Sequence, residues 1–245
     1  MVTIGWVFAA LKEDGSITTW GYHPSWDIFT PTDNGYIQLF ANDFSFAALK
    51  ADGSITAWGR EGLGGTGAPT DSGYTKIFSN REAFAAMKAD GSITEWGHPS
   101  YGGSGAPTDS GYTQIFSTKH AFATIKPDGS ITAWGDNHGG HGAPTDSGYT
   151  NIVSTRGAFA ALKADGSITA WGDNHLGGSG APTDSGYTNI VSTGLTFAAM
   201  KADGSITAWG RSDSGGSGAP TDSGYTQIFS TQTAFAALKK VNHAP

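Results

Sequence analysis

The residues of this chain that could do chemistry fall into two groups, those repeated at a fixed spacing and those that occur once. Among the repeated ones, Lys12, Lys50, Lys88, Lys126, Lys163, Lys201 and Lys239 stand in register and could form a basic ring for an anion. In six copies an aspartate follows two residues later, as Asp165 follows Lys163, so self-neutralisation is the expectation instead. Among the unique ones, His138 and His141 near Asp136 have the donor types of a metal site. Two imidazoles on a glycine loop fall short of the four-ligand set zinc requires, so no metal is expected. There is no cysteine, which removes thiolate ligands, disulfides and Cys nucleophiles. No glycine-rich segment carries the Lys-Ser/Thr of a phosphate loop. An enzyme needs a unique constellation, and nearly every polar residue here is repeated. Neither catalysis nor a cofactor is expected.

Recognition is the remaining class. A net charge of −7 argues against a nucleic-acid partner, which needs clustered Lys and Arg. No apolar stretch approaches the roughly 20 residues of a membrane span, so no membrane insertion is expected. The opening Met-Val-Thr-Ile-Gly-Trp lacks a basic n-region and does not read as a signal peptide.

The elements that must position any binding residue come from one short unit copied end to end. Phe8, Phe46, Phe84, Phe122, Phe159, Phe197 and Phe235 recur at intervals of 38, 38, 38, 37, 38 and 38 residues. A period of that size with several strand and turn signals per copy means a stacked or closed repeat architecture within one domain, residues 1–245. In the copy at 150–187, Thr150–Thr155 is a β-branched run (strand A) and Ala158–Lys163 is strand B. Asp165-Gly166 then forms a hairpin, because both residues tolerate positive φ. Ile168–Trp171 is strand C, and Pro182 limits any fourth strand in the loop that follows. The paired alanines of strand B oppose β propensity and predict close approach of neighbouring sheets, with Phe, Leu, Ile and Trp filling the gaps. Trp20, Trp58, Trp96, Trp134, Trp171 and Trp209 are expected to lie buried between sheets. Sheets that cannot close a core singly, arranged radially, make a β-propeller: all-β, seven blades, with six as the alternative.

The stretch from Ser117 to Asn137, with Lys119-His120, Ala121-Phe122-Ala123, Asp128-Gly129 and Trp134-Gly135-Asp136-Asn137, resembles the regulator-of-chromosome-condensation repeat. The resemblance covers essentially the whole chain and implies a seven-bladed propeller, similar to the bacterial β-lactamase-inhibitor propellers built on this repeat. It implies little about activity, because one fold hosts many functions. The chain departs from the pattern where Gly177-Gly178-Ser179-Gly180 replaces the usual Gly-Gln-Leu-Gly, and the histidine before strand B is present only at His120. Seven A–B pairs accompany only six Asp-Gly-Ser-Ile and six Trp-Gly segments. Either the last blade is incomplete, or the termini exchange strands, or the chain is part of a longer array.

Copies differ in two windows. The first, the A–B turn, holds Trp6, Asp43-Phe44, Arg81-Glu82, Lys119-His120, Arg156, Leu195 and Gln232. The second, after Trp-Gly, holds Tyr22-His23, Arg60-Glu61, His98 with Tyr101, Asp136-Asn137-His138, Asp173-Asn174-His175, and Arg211 with Asp213. Trp26 adds an apolar knob or a cap in the first copy. Strand direction places the A–B turn and the exit of strand C at one end, so both windows should converge on a rim carried by a rigid scaffold. That rim is the candidate binding surface for a protein or glycan, since aromatic residues serve as contact anchors. Drift in unconstrained turns, with the chain a structural spacer, is the competing reading.

Overall fold

A computed structural model describes residues 1–22 and 29–239, and its regular structure is almost entirely β. His23 and Trp26 lie outside the described residues. The first sheet comprises β1 (Val2–Ile4), β2 (Val7–Leu11) and β3 (Ile17–Gly21). The second comprises β4 (Tyr36–Ala41), β5 (Ser45–Lys50) and β6 (Ile55–Gly59), the third β7 (Tyr74–Ser79), β8 (Ala83–Lys88) and β9 (Ile93–Gly97). The fourth comprises β10 (Gln114–Ser117), β11 (Ala121–Ile125) and β12 (Ile131–Gly135). The fifth comprises β13 (Tyr149–Ser154), β14 (Ala158–Lys163) and β15 (Ile168–Gly172), the sixth β16 (Tyr187–Ser192), β17 (Thr196–Lys201) and β18 (Ile206–Gly210). The seventh has, among the described residues, only β19 (Tyr225–Ser230) and β20 (Phe235–Lys239). The chain divides into two compact units, Met1–Thr124 with Ala133–Asp136, and Ile125–Thr132 with Asn137–Pro245.

Each three-stranded sheet is an antiparallel meander with the Phe-bearing strand in the middle, and Phe159 faces Trp171 across the β14–β15 pair. The Asp-Gly turn forms as its sequence requires. Asp165 Oδ1 accepts from Ser167 N at 2.9 Å and from Ser167 Oγ at 2.7 Å, and Gly166 takes φ +81°. A Cβ on Gly166 would also lie 2.3 Å from Tyr187 N, so the next sheet's entry excludes any other residue. After Trp-Gly the chain makes one 3₁₀ turn in three copies, Pro99–Tyr101, Asn174–Leu176 and Ser212–Ser214, each ended by a left-handed glycine. The fourth copy is one residue shorter between Trp134 and Gly139 than its neighbour between Trp171 and Gly177, which accounts for the single 37-residue interval.

Neighbouring sheets are held by one repeated arrangement. Phe84 stacks on Trp96 with centroids 5.1 Å apart, and Trp96 Nε1 donates to the Gly64 carbonyl of the preceding sheet's loop at 3.1 Å. Trp134, Trp171 and Trp209 donate in the same way to Gly102, Gly139 and Gly177. Trp58 is buried too, but its Nε1 has no partner among the described residues, and the equivalent of Gly64 falls at position 26, outside them. In the fifth sheet the strand-B alanines are buried on both faces: Ala160 joins the core with Phe197 and Trp209, while its neighbour Ala161 faces the other way and is equally covered. That close approach is what the alanine pair predicts.

Burial of all six Trp-Gly tryptophans fails at one position. Trp58, Trp96, Trp134, Trp171 and Trp209 are 2–4% exposed, whereas Trp20 is 45% exposed. Each buried indole rests on the sheet before it in sequence, and among the described residues no sheet precedes the first.

Lys50, Lys88, Lys163, Lys201 and Lys239 are neutralised, but by a different aspartate from the one expected. Lys88 Nζ pairs with Asp71 Oδ2 at 2.6 Å, 17 residues back, while the aspartate two residues on, Asp90, is occupied by its own hairpin. Tyr74 donates to Asp71 Oδ1 at 2.9 Å and meets Thr94 Oγ1 at 2.8 Å, with Lys88 Nζ 4.9 Å from the Tyr74 ring centre. The same clamp joins Lys163, Asp146, Tyr149 and Thr169, and again Lys201, Asp184, Tyr187 and Thr207. It explains why the Pro-Thr-Asp-Ser-Gly-Tyr loop barely varies from copy to copy. Its constancy therefore does not show that the other loops vary for a purpose.

Two outcomes are expected from these contacts. Trp134→Ala should cost about 3–5 kcal/mol in denaturant unfolding, whereas Trp20→Ala should cost under about 1 kcal/mol. Equal losses would mean the latch is not what stabilises the sheets. The second concerns pH. The Asp33, Asp71, Asp146, Asp184 and Asp222 carboxyls are held low, first by their lysines and then by their tyrosines. Their contribution is complete above the unfolded aspartate value of about 3.9 and is lost as pH falls through the lower folded values. Burial, then Asp33, pushes Tyr36 up to about 12, so its contribution is complete below the unfolded value and lost as pH rises through the folded one. Denaturation midpoints measured across pH should fall at both extremes, and Asp71→Asn should flatten the acid limb.

Candidate functional site

The two variable windows meet within each sheet. The first residue after Trp-Gly donates its backbone N–H to the second residue of the A–B turn: Arg60 to Phe44 at 3.0 Å, His98 to Glu82 at 2.9 Å, Asp136 to His120 at 3.1 Å. Asp173 pairs with Gly157 at 2.9 Å and Arg211 with Leu195 at 3.3 Å in the same manner. Tyr22 N lies 3.4 Å from Trp6 O in the first sheet. The lysine end is elsewhere: Gly186 N donates to Asp165 O at 3.1 Å, joining each Asp-Gly turn to the entry of the next sheet.

A buried polar residue just before the turn, Asn42, Asn80 or Thr155, clasps the two windows together, and sequence reading missed it. Asn80 Oδ1 accepts from Glu82 N at 3.0 Å and Ala83 N at 2.8 Å, while its Nδ2 donates to the Tyr101 carbonyl. Asn42 does the same with Phe44, Ser45 and Leu63. Thr155 reaches Ala158 N and the Leu176 carbonyl through one hydroxyl. The signal was present, an Asn or Thr at the same place in six copies, but it reads as the end of strand A.

Successive turns are also joined by backbone alone. Asp43 N donates to Arg81 O and Arg81 N to Lys119 O, both at 3.1 Å, and in the other unit Arg156 N donates to Gly194 O and Gly194 N to Gln232 O at 3.0 Å. The turn side chains take no part in these bonds, which leaves them free for other contacts.

In the first unit those side chains form two groups. Arg81 Nε pairs with Asp43 Oδ2 at 3.0 Å, and the Arg60 and Arg81 guanidinium groups lie 5.6 and 5.7 Å from the Phe44 ring centre, with Glu82 3.7 Å from Arg81. Glu61 is exposed beside Arg60. The second group is a stack of His98, Tyr101 and His120 with centroids 4.4 and 4.5 Å apart, and His120 Nδ1 is 3.9 Å from Asp136 Oδ2. Burial pushes the His120 imidazole below its ordinary value, with Asp136 and Glu82 opposing. His98 Nδ1 and His120 Nε2 are buried and unpartnered. Lys119 is exposed, and Trp6 and Tyr22 are 72% and 65% exposed.

In the second unit, Arg211 holds Asp213 with two bonds of 2.7 and 3.1 Å, and the Asp173 carboxylate caps the 3₁₀ turn at His175 N. Asn174, His175, Leu176 and Arg211 line an open depression of about 400 Å³. Asn137, His138, Arg156 and Gln232 are exposed, while Leu195 is half-buried. Phe44, Arg81, Tyr101 and His120 are half-buried too, because they stack on one another instead of standing free. Among the described residues, no three His, Asp or Glu side chains converge as metal ligands would.

No protein-family model matches the chain, and no curated protein does. Solved structures do. The CRINKLY WD40 ectodomain of the Arabidopsis thaliana receptor kinase ACR4 is 17% identical with a TM-score of 0.52, covering 84% of this chain and 77% of that one. The ectodomain of the Physcomitrella patens receptor kinase CR4 matches at 17% identity and 0.50, but this chain spans only 59% of its length. Prp20p from Saccharomyces cerevisiae, the yeast RCC1, matches at 16% identity and 0.50 over 98% of this chain and 76% of its own. At this identity the likeness speaks for fold alone, and the fold is an RCC1-like β-propeller of seven sheets.

The clasp generates a prediction. Asn80→Ala leaves Glu82 N, Ala83 N and Tyr101 O without their partner and should cost about 1–3 kcal/mol in urea unfolding. Asn80→Thr should recover most of it, since Thr118 occupies the equivalent place. Equal losses in both variants would show that the clasp bonds carry no stability.

Proposed function

We propose that this chain is a non-enzymatic recognition module that binds a protein through the side chains of its A–B turns and post-Trp-Gly loops. One observation carries the reading: in every three-stranded sheet with both windows described, a backbone hydrogen bond ties the two variable windows into one surface. The chemistry suits a protein surface. Arg60 and Arg81 on Phe44, the His98–Tyr101–His120 stack and exposed Trp6 and Tyr22 are the residue types that anchor interfaces. Fold relatives support a binding role: Prp20p is described with its binding to Gsp1p and histones, and in complex with Kap60. A glycan is the second ligand class, favoured by the flat exposed faces of Trp6 and Tyr22, which suit stacking on a sugar ring. His23 and Trp26 are assigned to the same surface by their place in the second window.

The immobilised chain should be screened against secreted and surface proteins and a glycan array. Any ligand found should then be titrated against two sets of variants. Phe44→Ala, Tyr101→Ala and His175→Ala should each weaken a ligand that they touch by more than about 1 kcal/mol, with unfolding midpoints nearly unchanged for the exposed His175. Lys163→Ala and Asp165→Ala should lower stability and leave affinity intact. A ligand whose affinity follows the second set and ignores the first would overturn the assignment of this surface.

A further inference from the structure

Two kinds of dipeptide in this chain can react with themselves: six Asp-Gly pairs and a single Asn-Gly, Asn34-Gly35. In both, the glycine nitrogen can attack the side-chain carbonyl carbon of the residue before it, and glycine has the backbone freedom to bring it there. The fold disarms the first kind. Gly15, Gly53, Gly91, Gly129, Gly166 and Gly204 donate their N–H at 2.9 to 3.0 Å to the lysine carbonyl three residues back. The aspartates before them each accept two bonds from the serine two residues on, as Asp52 does from Ser54 N and Oγ. Those bonds hold the carboxyls below their ordinary range. An ionised carboxylate is a poor electrophile, and a bonded nitrogen is a poor nucleophile.

Asn34 has neither protection. It stands where the other five copies of the loop carry Ser72, Ser110, Ser147, Ser185 and Ser223. In those copies the following glycine is tied to the preceding hairpin, Gly73 N to Asp52 O at 3.0 Å and Gly111 N to Asp90 O at 2.9 Å. Gly148, Gly186 and Gly224 are tied in the same way at 2.9, 3.1 and 2.8 Å. Among the described residues Gly35 N makes no such bond to Asp14 O. Asn34 and Gly35 are exposed, and a Cβ on Gly35 would meet nothing within 4 Å, so the surroundings leave room for ring closure.

We propose that Asn34 is a modification site at which the folded chain converts its own amide to isoaspartate, loosening the Asp33 clamp. Gly35 N bonds to Asn34 Cγ, the Cγ–Nδ2 bond breaks, and the former amide nitrogen leaves as ammonia with the Gly35 proton. Water then opens the cyclic imide. Attack at the main-chain carbonyl gives isoaspartate, and attack at Cγ gives aspartate. Isoaspartate routes the backbone through the side chain and so adds a methylene between two residues that must keep their spacing. Asp33 accepts from Tyr36 Oη at 2.6 Å and holds Lys50 Nζ at 2.5 Å, while Tyr36 also meets Thr56 at 2.8 Å. The change is one-way, and it is independent of the variable turns.

The test is peptide mapping by chromatography and mass spectrometry after the full chain has stood, folded, at neutral and mildly alkaline pH. The Asn34 peptide should gain the mass difference between an amide and a carboxyl and split into isoaspartyl and aspartyl forms, faster at the higher pH. Its conversion should be about tenfold or more faster than that of exposed Asn174, whose successor His175 has a side chain to hinder attack. The Asp-Gly peptides should isomerise in urea but not in the folded chain. Conversion of Asn34 no faster than that of Asn174 would overturn the proposal. Equal Asp-Gly isomerisation in folded and urea-treated chain would also overturn it, by showing that the hairpin bonds protect nothing. The aged chain should unfold at a lower urea concentration than fresh chain, whereas Asn34→Asp, which adds the charge without the methylene, and Asn34→Ser should not. An aged chain with the midpoint of Asn34→Asp would overturn the link to the clamp.

Discussion

The structure depends on one contact, an indole laid across the boundary between consecutive sheets. A three-stranded sheet of five-residue strands cannot bury both of its faces. Trp96, Trp134, Trp171 and Trp209 solve this by stacking on their own sheets' phenylalanines while their N–H groups reach a glycine carbonyl in the sheet before. The apolar area gained is worth roughly 1.5–3 kcal/mol for each large side chain, and the hydrogen bond removes the cost of a buried N–H. The acceptor must belong to a glycine for a reason visible at Gly177. Its φ of +97° ends the 3₁₀ turn, and a Cβ there would lie 2.6 Å from the Phe197 ring. Loop conformation, glycine identity and aromatic packing are thus one constraint seen from three sides. Trp20, with no described sheet before its own, is exposed.

Charge is distributed in a matching way. At the end bearing the strand-B lysine, Lys50, Lys88, Lys163, Lys201 and Lys239 are paired with an aspartate and a tyrosine of their own sheets and offer little to a ligand. At the other end, the pairs Arg81–Asp43 and Arg211–Asp213 are built only from residues that differ between copies. Exposed pairs of this kind add little stability, so the fold does not require them. The second surface is the one whose chemistry is free to serve something outside the chain.

Much of this was legible in the sequence because it is local. Asp165-Gly166 makes its own turn, strand B begins and ends where Ala158 and Lys163 suggested, and the alanine pair predicted close sheets. The convergence of the two windows followed from strand direction alone. What escaped were choices between distant partners. Lys163 has two aspartates in reach; the nearer in sequence is already bonded to Ser167, so the farther one, Asp146, receives the lysine. Asn42, Asn80 and Thr155 read as strand ends because their partners, 21 residues on, lie in another loop. The half-burial of Phe44, Tyr101 and His120 likewise arises from side chains on two different loops meeting, which no single window displays.

The line of backbone bonds that joins one A–B turn to the next has an evolutionary consequence. Because no side chain takes part, exchanging one turn pair for another leaves the neighbouring turns' support untouched. Backbone support therefore leaves each turn's side chains free to differ, while those in contact, Asp43 with Arg81 and Tyr101 with His120, are coupled. Asp43-Phe44, Arg81-Glu82 and Lys119-His120, three unlike pairs on one unbroken thread of amides, are what that freedom produces.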